Sequence, residues 1–259
     1  MTKTILITGA TDGIGLETAK LLAAEGHLIL LHGRSEAKLE AARAAVGGAT
    51  EVYVADLSDM SAVQRLAEEV AGAHEKIDVL INNAGVFKTP QRTTPDGQDV
   101  RFVVNTLAPY ALTRALLPKI PTDGRIINLS SAAQAPVSIR ALHGEEMVKD
   151  MEAYAQSKLA ITMWSRAMAA ELSDGPMVLA VNPGSLLASK MVTEGFGVAG
   201  NDIGIGANLL RATAVDADFA DATGRYFDND AGSFGNPHPD ALDDAKVAEV
   251  MKAIEAAVG

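Results

Sequence analysis

The 259-residue sequence contains no cysteine, which excludes disulfides, thiolate metal sites and a cysteine nucleophile. Positive charge is also scarce. Against 33 Asp and Glu stand 22 Lys and Arg, a formal net charge of -11, and such a field repels phosphate backbones. Nucleic acid is therefore not an expected partner, and an anionic cofactor can bind only where a few positive groups are placed locally. No uninterrupted apolar run reaches the length of about 18 residues that a membrane span needs. Strand-like sequence begins at Thr4, leaving no room for a cleavable leader, so the expected location is cytoplasmic with no membrane partner. The five histidines, His27, His32, His74, His143 and His238, are scattered without a pair at helical spacing, and no metal is expected.

What is present is an ordinary soluble composition, 48% hydrophobic and 21% charged, which predicts a folded rather than a disordered chain. Short apolar runs at Thr4 to Thr8, Leu28 to His32, Glu51 to Ala55, Val79 to Asn82, Arg125 to Leu129 and Val178 to Asn182 read as strands buried on both faces. Between them, Leu16 to Glu25, Glu36 to Val46, Met60 to Ala71, Asp99 to Leu117 and Ala153 to Leu172 carry helical spacing. Residues 132 to 150 fit no strand and read as an irregular insertion with a helical turn around Gly144 to Lys149. A last strand is expected at Gly224 to Phe227 and a closing helix at Ala241 to Ala257, after the polar stretch "NDAGSFGNPHPD". Strand, helix and strand repeated in this way predict an α/β fold with a parallel sheet. No linker or internal repeat divides the chain, so residues 1–259 are expected to form a single domain.

The octet "TGATDGIG", residues 8 to 15, sits between the first strand and the first helix. Glycines at 9, 13 and 15 permit a tight turn, let backbone approach a diphosphate, and let the helix pack on the sheet; the helix N-terminus then offers N–H groups to anionic oxygens. A turn without a ligand is the competing reading. Tyr154 and Lys158, four residues apart, share a helix face. An ammonium about 5 Å from a phenolate, at an effective dielectric of about 20, is worth roughly 3 kcal/mol or about two pKa units, which makes a tyrosine usable as an acid or base. An ordinary surface pair has the same spacing.

These features continue in order with "NNAG" at Asn82 to Gly85, "VNTLAP" from Val104, "NLSS" at Asn128 to Ser131, "YAQSK" at Tyr154 to Lys158 and "NPG" at Asn182 to Gly184. Over about residues 4 to 190 the chain resembles the short-chain dehydrogenases/reductases. "TPDGQDVRFVVNTLAP" and "YAQSKLA" look most like the retinol-dehydrogenase and WW-oxidoreductase-like branch. The resemblance implies a Rossmann fold, a doubly wound parallel sheet of about seven strands with helices on both faces. Its cofactor half would be about 1–130 and its catalytic and substrate half about 131–259. It implies an NAD(P)H-dependent oxidoreductase that interconverts a carbonyl and an alcohol. Tyr154 would be proton donor, Ser131 the hydrogen bond on the reacting oxygen, Lys158 the charge partner and holder of the nicotinamide ribose, and Asn105 the anchor of a water path from Lys158.

The cofactor-binding set implied is Gly9, Thr11, Asp12, Gly13, Ile14, Gly15, Arg34, Asp56, Leu57, Asn83, Ala84, Gly85, Tyr154, Lys158, Pro183, Gly184 and Ser185. NADP is preferred over NAD, because Arg34 after the second strand suits a 2′-phosphate that an acid would repel. Arg34 can also be read as a solvated helix-start residue, and Asp56 as a strand-end cap. Asn82 to Gly85 is expected to support the adenosine side. One departure stands out: Ala188 occupies the position where the family often has a threonine on the nicotinamide amide, leaving Ser189, Ser185 or backbone groups as substitutes. Leu186 to Gly206 reads as a substrate lid or a flexible connection. Met163, Trp164 and Met168 read as core or as a subunit contact, a homo-oligomer being possible. The leading expectation is NADPH-dependent reduction of a small to medium apolar ketone or aldehyde; the alternative is a non-catalytic NADP(H)-binding regulatory protein.

Overall fold

A computed structural model describes residues 1–188 and 200–259. The strands β1 (Thr4–Ile7), β2 (Leu28–Gly33), β3 (Thr50–Val54), β4 (Val79–Asn82), β5 (Arg125–Leu129), β6 (Met177–Asn182), β7 (Tyr226–Asp228) and β8 (Ser233–Gly235) form one sheet in the order β3-β2-β1-β4-β5-β6-β7-β8. All neighbours are parallel except β8, which runs antiparallel to β7. The strand order reverses between β1 and β4, so the carboxyl ends of β1, β4 and β5 open a crevice there.

Successive side chains of a strand point to opposite faces, and here both faces are covered. Leu6, Leu30, Leu80, Ile126 and Val178 join a core with α3 (Met60–Ala73), α5 (Ala108–Leu116), α7 (Asp150–Glu171) and α9 (Asp244–Val258). Ile5, Ile7, Ile29, Leu31, Val79, Ile81, Ile127, Leu179 and Val181 join the other core, with α1 (Gly13–Ala24), α2 (Glu36–Val46) and α8 (Gly204–Val215). The runs are apolar without alternation because each strand must satisfy two cores at once. Trp164, Met163 and Met168 lie in the first of these cores, with the Trp164 ring edge-on to Tyr110.

Four expectations need correction. β3 is an edge strand with Val54 half exposed, since a neighbour covers it on one side only. β8 falls inside the polar stretch "NDAGSFGNPHPD", where no strand is expected; three residues that follow Gly232 and end on Gly235 give no readable alternation. Its Phe234 nevertheless packs against Phe227 and Phe219 and carries the Arg225 guanidinium 3.6 Å from its ring centre. In the 132–150 insertion the helical turn is α6 (Ile139–Leu142), capped by Ser138, not Gly144 to Lys149. Gly144 sits after it at φ 77, where an added Cβ would come 2.9 Å from the Gly97 carbonyl oxygen. The segment read as one helix from Asp99 begins as α4 (Val100–Phe102), widens to a π-helical stretch at Val103–Leu107, and continues as α5.

Candidate active site

At the end of β1 the chain turns at Gly9, φ 66, and α1 starts at Gly13, φ 58. A Cβ on Gly15 would lie 2.4 Å from the Gly9 carbonyl oxygen and 2.5 Å from Asn83 Nδ2, so only glycine lets α1 seat this close. Leu16 is the first residue of the helix to donate inside it, to the Asp12 carbonyl at 3.2 Å. The N–H groups of Gly13, Ile14 and Gly15 thus have no intrahelical acceptor. Asp12 is exposed and makes no side-chain cap bond, while Thr11 closes the loop with its methyl where a Cβ on Gly33 would collide at 2.6 Å. A donor-lined cradle that any side chain would fill fits the diphosphate of a dinucleotide.

Two neighbours hold the cradle. Asn83 donates its side-chain amide to the Thr8 and Gly9 carbonyls at 2.8 and 3.0 Å, and the Thr8 hydroxyl accepts from the Asn83 and Ala84 N–H groups. The Asn83 side chain therefore braces the loop from behind, with Ala84 and Gly85 half-buried beside it. His32, one of the five histidines whose spacing suggests no role, is buried at the end of β2. Its Nδ1 accepts the Gly9 N–H at 3.3 Å and its Nε2 lies 3.1 Å from the Ala55 carbonyl, a pair of bonds that only the neutral Nε2–H tautomer makes. Burial pulls its pKa down to about 4.

Beyond β2, Arg34 is exposed and makes no ion pair or hydrogen bond among the described residues. Asp56 is exposed as well, but its Oδ1 accepts from the Ser58 N–H and hydroxyl at 2.9 and 2.8 Å, the turn-capping role its position allows. Leu57 is buried in the core.

Tyr154 and Lys158 sit on α7 and face the carboxyl end of β5. Ser130 is turned into the core, bonded to the Lys158 carbonyl and the Thr162 hydroxyl, while Ser131 is half-buried, its hydroxyl accepting the Ala133 N–H at 3.1 Å and lying close enough to the Tyr154 phenol to favour its ionised form. Lys158 is buried, donates to the Leu129 carbonyl at 2.7 Å, and holds its Nζ 5.7 Å from the centre of the Tyr154 ring. The electrostatics differ from the sequence expectation. Burial pulls the Lys158 pKa down to about 8, and burial pushes Tyr154 above its ordinary value, with only the neighbouring Ser131 hydroxyl acting the other way. Both groups are charged only at a desolvation cost, and the ammonium does not outweigh that cost at Tyr154.

Asn105 lies in the π-helical stretch, a distortion that recurs at functional sites. Its Oδ1 accepts the Val86 N–H at 2.8 Å, and its Nδ2 donates to the Val86 carbonyl and the Ser157 hydroxyl, both at 3.0 Å. Both side-chain donors are committed to the protein. Nearby, the Phe87 ring stands edge-on to Tyr154 at 5.3 Å. The segment that carries it is tied down by Arg101, which is fully buried and paired with Asp99 and Asp150. This cluster was missed in the sequence because its three members are far apart or masked by helical spacing.

After β6, Asn182 leads into Pro183, Gly184 and Ser185. The Ser185 N–H and hydroxyl are both given to Asp230, at 2.8 and 2.5 Å, and the Ala188 N–H is given to the Asn201 carbonyl at 2.7 Å. Of the substitutes for the missing threonine, Ser185 is thus already engaged, and Ser189 lies outside the described residues, as does most of the expected lid from Leu186 to Gly206. Among the described residues no cluster of His, Asp and Glu is arranged to hold a metal, and no helix is long and apolar enough to cross a membrane.

Residues 3–196 match the family model for short chain dehydrogenases. Human retinol dehydrogenase 13 is 33% identical over 251 residues, covering 87% of this chain and 76% of that protein. Against further retinol dehydrogenases of mouse and cattle, the match spans 58% to 64% of their length. Among solved structures, an uncharacterised protein from Mycobacterium paratuberculosis superposes with a TM-score of 0.82 at 29% identity, over 99% of this chain and 93% of that one. A short chain dehydrogenase from Burkholderia cenocepacia, in complex with NADP, gives 0.70 at 26% identity, over 87% and 95%. With a family model over residues 3–196 and the sheet order in agreement with that match, the chain belongs to the short-chain dehydrogenase/reductase family of oxidoreductases, in its retinol-dehydrogenase-like part.

Proposed function

We propose that this protein is an NADPH-dependent carbonyl reductase acting on small to medium apolar ketones or aldehydes. The observation that carries the reading is the convergence of Ser131, Tyr154 and Lys158 at the carboxyl end of β5, beside a glycine cradle with an uncommitted arginine at its far side. Gly9, Thr11 to Gly15 and Ala84 to Gly85 would hold the diphosphate and adenosine side, Arg34 the 2′-phosphate, and Lys158 with Pro183 to Ser185 the nicotinamide side. When bound, the reduced nicotinamide supplies a hydride to the carbonyl carbon.

The Ser131 hydroxyl donates to the carbonyl oxygen and holds it against Tyr154. The Tyr154 phenol gives that oxygen its proton as negative charge develops, and the Lys158 ammonium stabilises the phenolate left behind. Asn105 fixes Val86 and Ser157, and through Ser157, whose hydroxyl donates to the Tyr154 carbonyl at 2.7 Å, the turn of α7 that carries the phenol. The Phe87 ring, edge-on to Tyr154, gives the site an apolar wall. The relative from Burkholderia cenocepacia that carries NADP supports the choice of nucleotide.

The test is to follow NADPH and NADH absorbance against a panel of ketones, aldehydes and quinones, with Tyr154→Phe in parallel. Turnover that falls by roughly two to four powers of ten in the variant, with NADPH affinity unchanged, is the expected result. Turnover that survives in Tyr154→Phe refutes the chemistry, and tight NADPH binding without turnover moves the reading to a regulatory NADP(H)-binding protein.

A further inference from the structure

The loop that follows β6 is shaped from outside itself. Gly184 sits at φ 119 and Leu186 at φ 51, a left-handed conformation that is unfavourable for a non-glycine residue and persists where the surroundings over-determine it. The surroundings here are the turn between β7 and β8. Asp230 accepts the Ser185 N–H on Oδ1 at 2.8 Å, and on Oδ2 it accepts the Ser185 hydroxyl at 2.5 Å and the Asn182 side-chain amide at 2.9 Å. Asn229 donates its side-chain amide to the Pro183 carbonyl at 2.9 Å and its N–H to the Asn182 carbonyl at 3.2 Å. Asp228 takes the second hydrogen of the Asn182 amide at 2.8 Å and the Asp230 N–H at 3.1 Å.

The charge state agrees with this wiring. Partial burial works to raise the Asp230 pKa, yet the bonds from Ser185 and Asn182 outweigh it and hold the carboxyl below its ordinary value. Three donors converge on one carboxylate, and no neutral side chain of that size accepts all three. The far side of the loop packs on Gly206 at the start of α8, which also borders Ile14 of the cradle: a Cβ on Gly206 would meet Leu187 at 2.6 Å, the Pro183 carbonyl oxygen at 3.3 Å and Ile14 at 3.4 Å. Whatever fixes residues 183–187 therefore fixes one wall of the cofactor crevice.

We propose that Asp230 is a positioning residue for the nicotinamide half of the cofactor, holding Pro183 to Ser185 in the shape that receives it. The device takes the place of a side chain at position 188, where alanine can offer none. It rests on the reading of this crevice as a nicotinamide dinucleotide site. Asp230 touches neither cofactor nor substrate; it acts through Ser185 and Asn182, and the adenosine side of the crevice, more than one strand away at β1 and β2, is independent of it.

The independence gives the experiment. Affinities of the wild type, Asp230→Ala and the isosteric Asp230→Asn would be measured by calorimetry for NADPH and for 2′,5′-ADP, which carries the adenosine end alone. The expected result is NADPH weakened about tenfold or more in Asp230→Ala, less in Asp230→Asn, with 2′,5′-ADP held within about twofold in both. Turnover should show KM for NADPH raised and kcat lowered, because a misplaced nicotinamide affects binding and transfer together. If the alanine variant does not fold, the asparagine variant decides by the same comparison. Equal weakening of both ligands, or of neither, overturns the role of Asp230 and leaves the function standing. A wild type that binds neither NADPH nor NADH overturns the function and this proposal with it.

Discussion

Lys158 holds its Nζ 5.7 Å from the centre of the Tyr154 ring while donating to the Leu129 carbonyl at 2.7 Å. The amine is thus fixed by β5 rather than by the tyrosine, and it can act on the phenolate only through its charge. Burial brings its pKa down to about 8, so that charge is lost as pH rises through about 8. For reduction, Tyr154 must end as phenolate, which the ammonium favours. The kcat/KM for carbonyl reduction should therefore fall above about pH 8, and Lys158→Met should lose that limb along with most of the rate. A wild-type profile that stays level to about pH 10 would show that Lys158 carries no such role.

Arg34 bears on the choice of nucleotide. Its guanidinium is exposed with no partner among the described residues, and a charge-assisted bond to a phosphate is worth about 1.5–3 kcal/mol. Arg34→Glu should weaken NADPH by roughly 10- to 150-fold and NADH by no more than about threefold, read by calorimetry. Equal losses for the two nucleotides would remove the 2′-phosphate from the argument.

Arg101 is a matter of stability first. It and Asp99 are both buried, and removing one partner of such a pair strands the other charge, at a cost of about 3–5 kcal/mol. Arg101→Met should lower the unfolding free energy from urea titration by that much, and Asp99→Asn added to it should recover part of the loss. A single variant as stable as the wild type would mean that Asp99 finds water or another donor at once.

The legible parts of this molecule were those written in local pattern. Apolar runs gave six of the eight strands nearly to the residue, five of them because a strand buried on two faces has few polar positions to blur it, and β3 in spite of its exposed Glu51 and Val54. Gly9, Gly13 and Gly15 were legible because backbone geometry admits nothing else there. Tyr154 and Lys158 were legible as a pair at helical spacing. Three things were not. β8 is three residues long and is defined by the partner it lies on, not by its own sequence. The Lys158 and Tyr154 pKa directions depend on burial, which spacing does not report. The Asp230 bonds to Ser185 join residues 45 apart, and the Arg101 to Asp150 pair joins residues 49 apart; only the folded chain brings them together.

His32 belongs with those long-range features, and its two bonds make acid stability a test of the cradle. The ring is neutral because its pKa is about 4 in the folded chain against an ordinary 6.5, and protonation would put a second N–H against the Gly9 N–H. The folded state then binds fewer protons than the unfolded one in between. Stability from this group is full above about pH 6.5 and drains away as pH falls toward about 4, by roughly 3 kcal/mol in all. His32→Leu cannot titrate. It should start below the wild type near pH 7.5, where two hydrogen bonds are missing, and the difference between the two urea unfolding free energies should shrink by about 3 kcal/mol by pH 4. A difference that stays constant with pH would mean that His32 is not held neutral, and that the phosphate loop is braced by Asn83 and Thr8 alone.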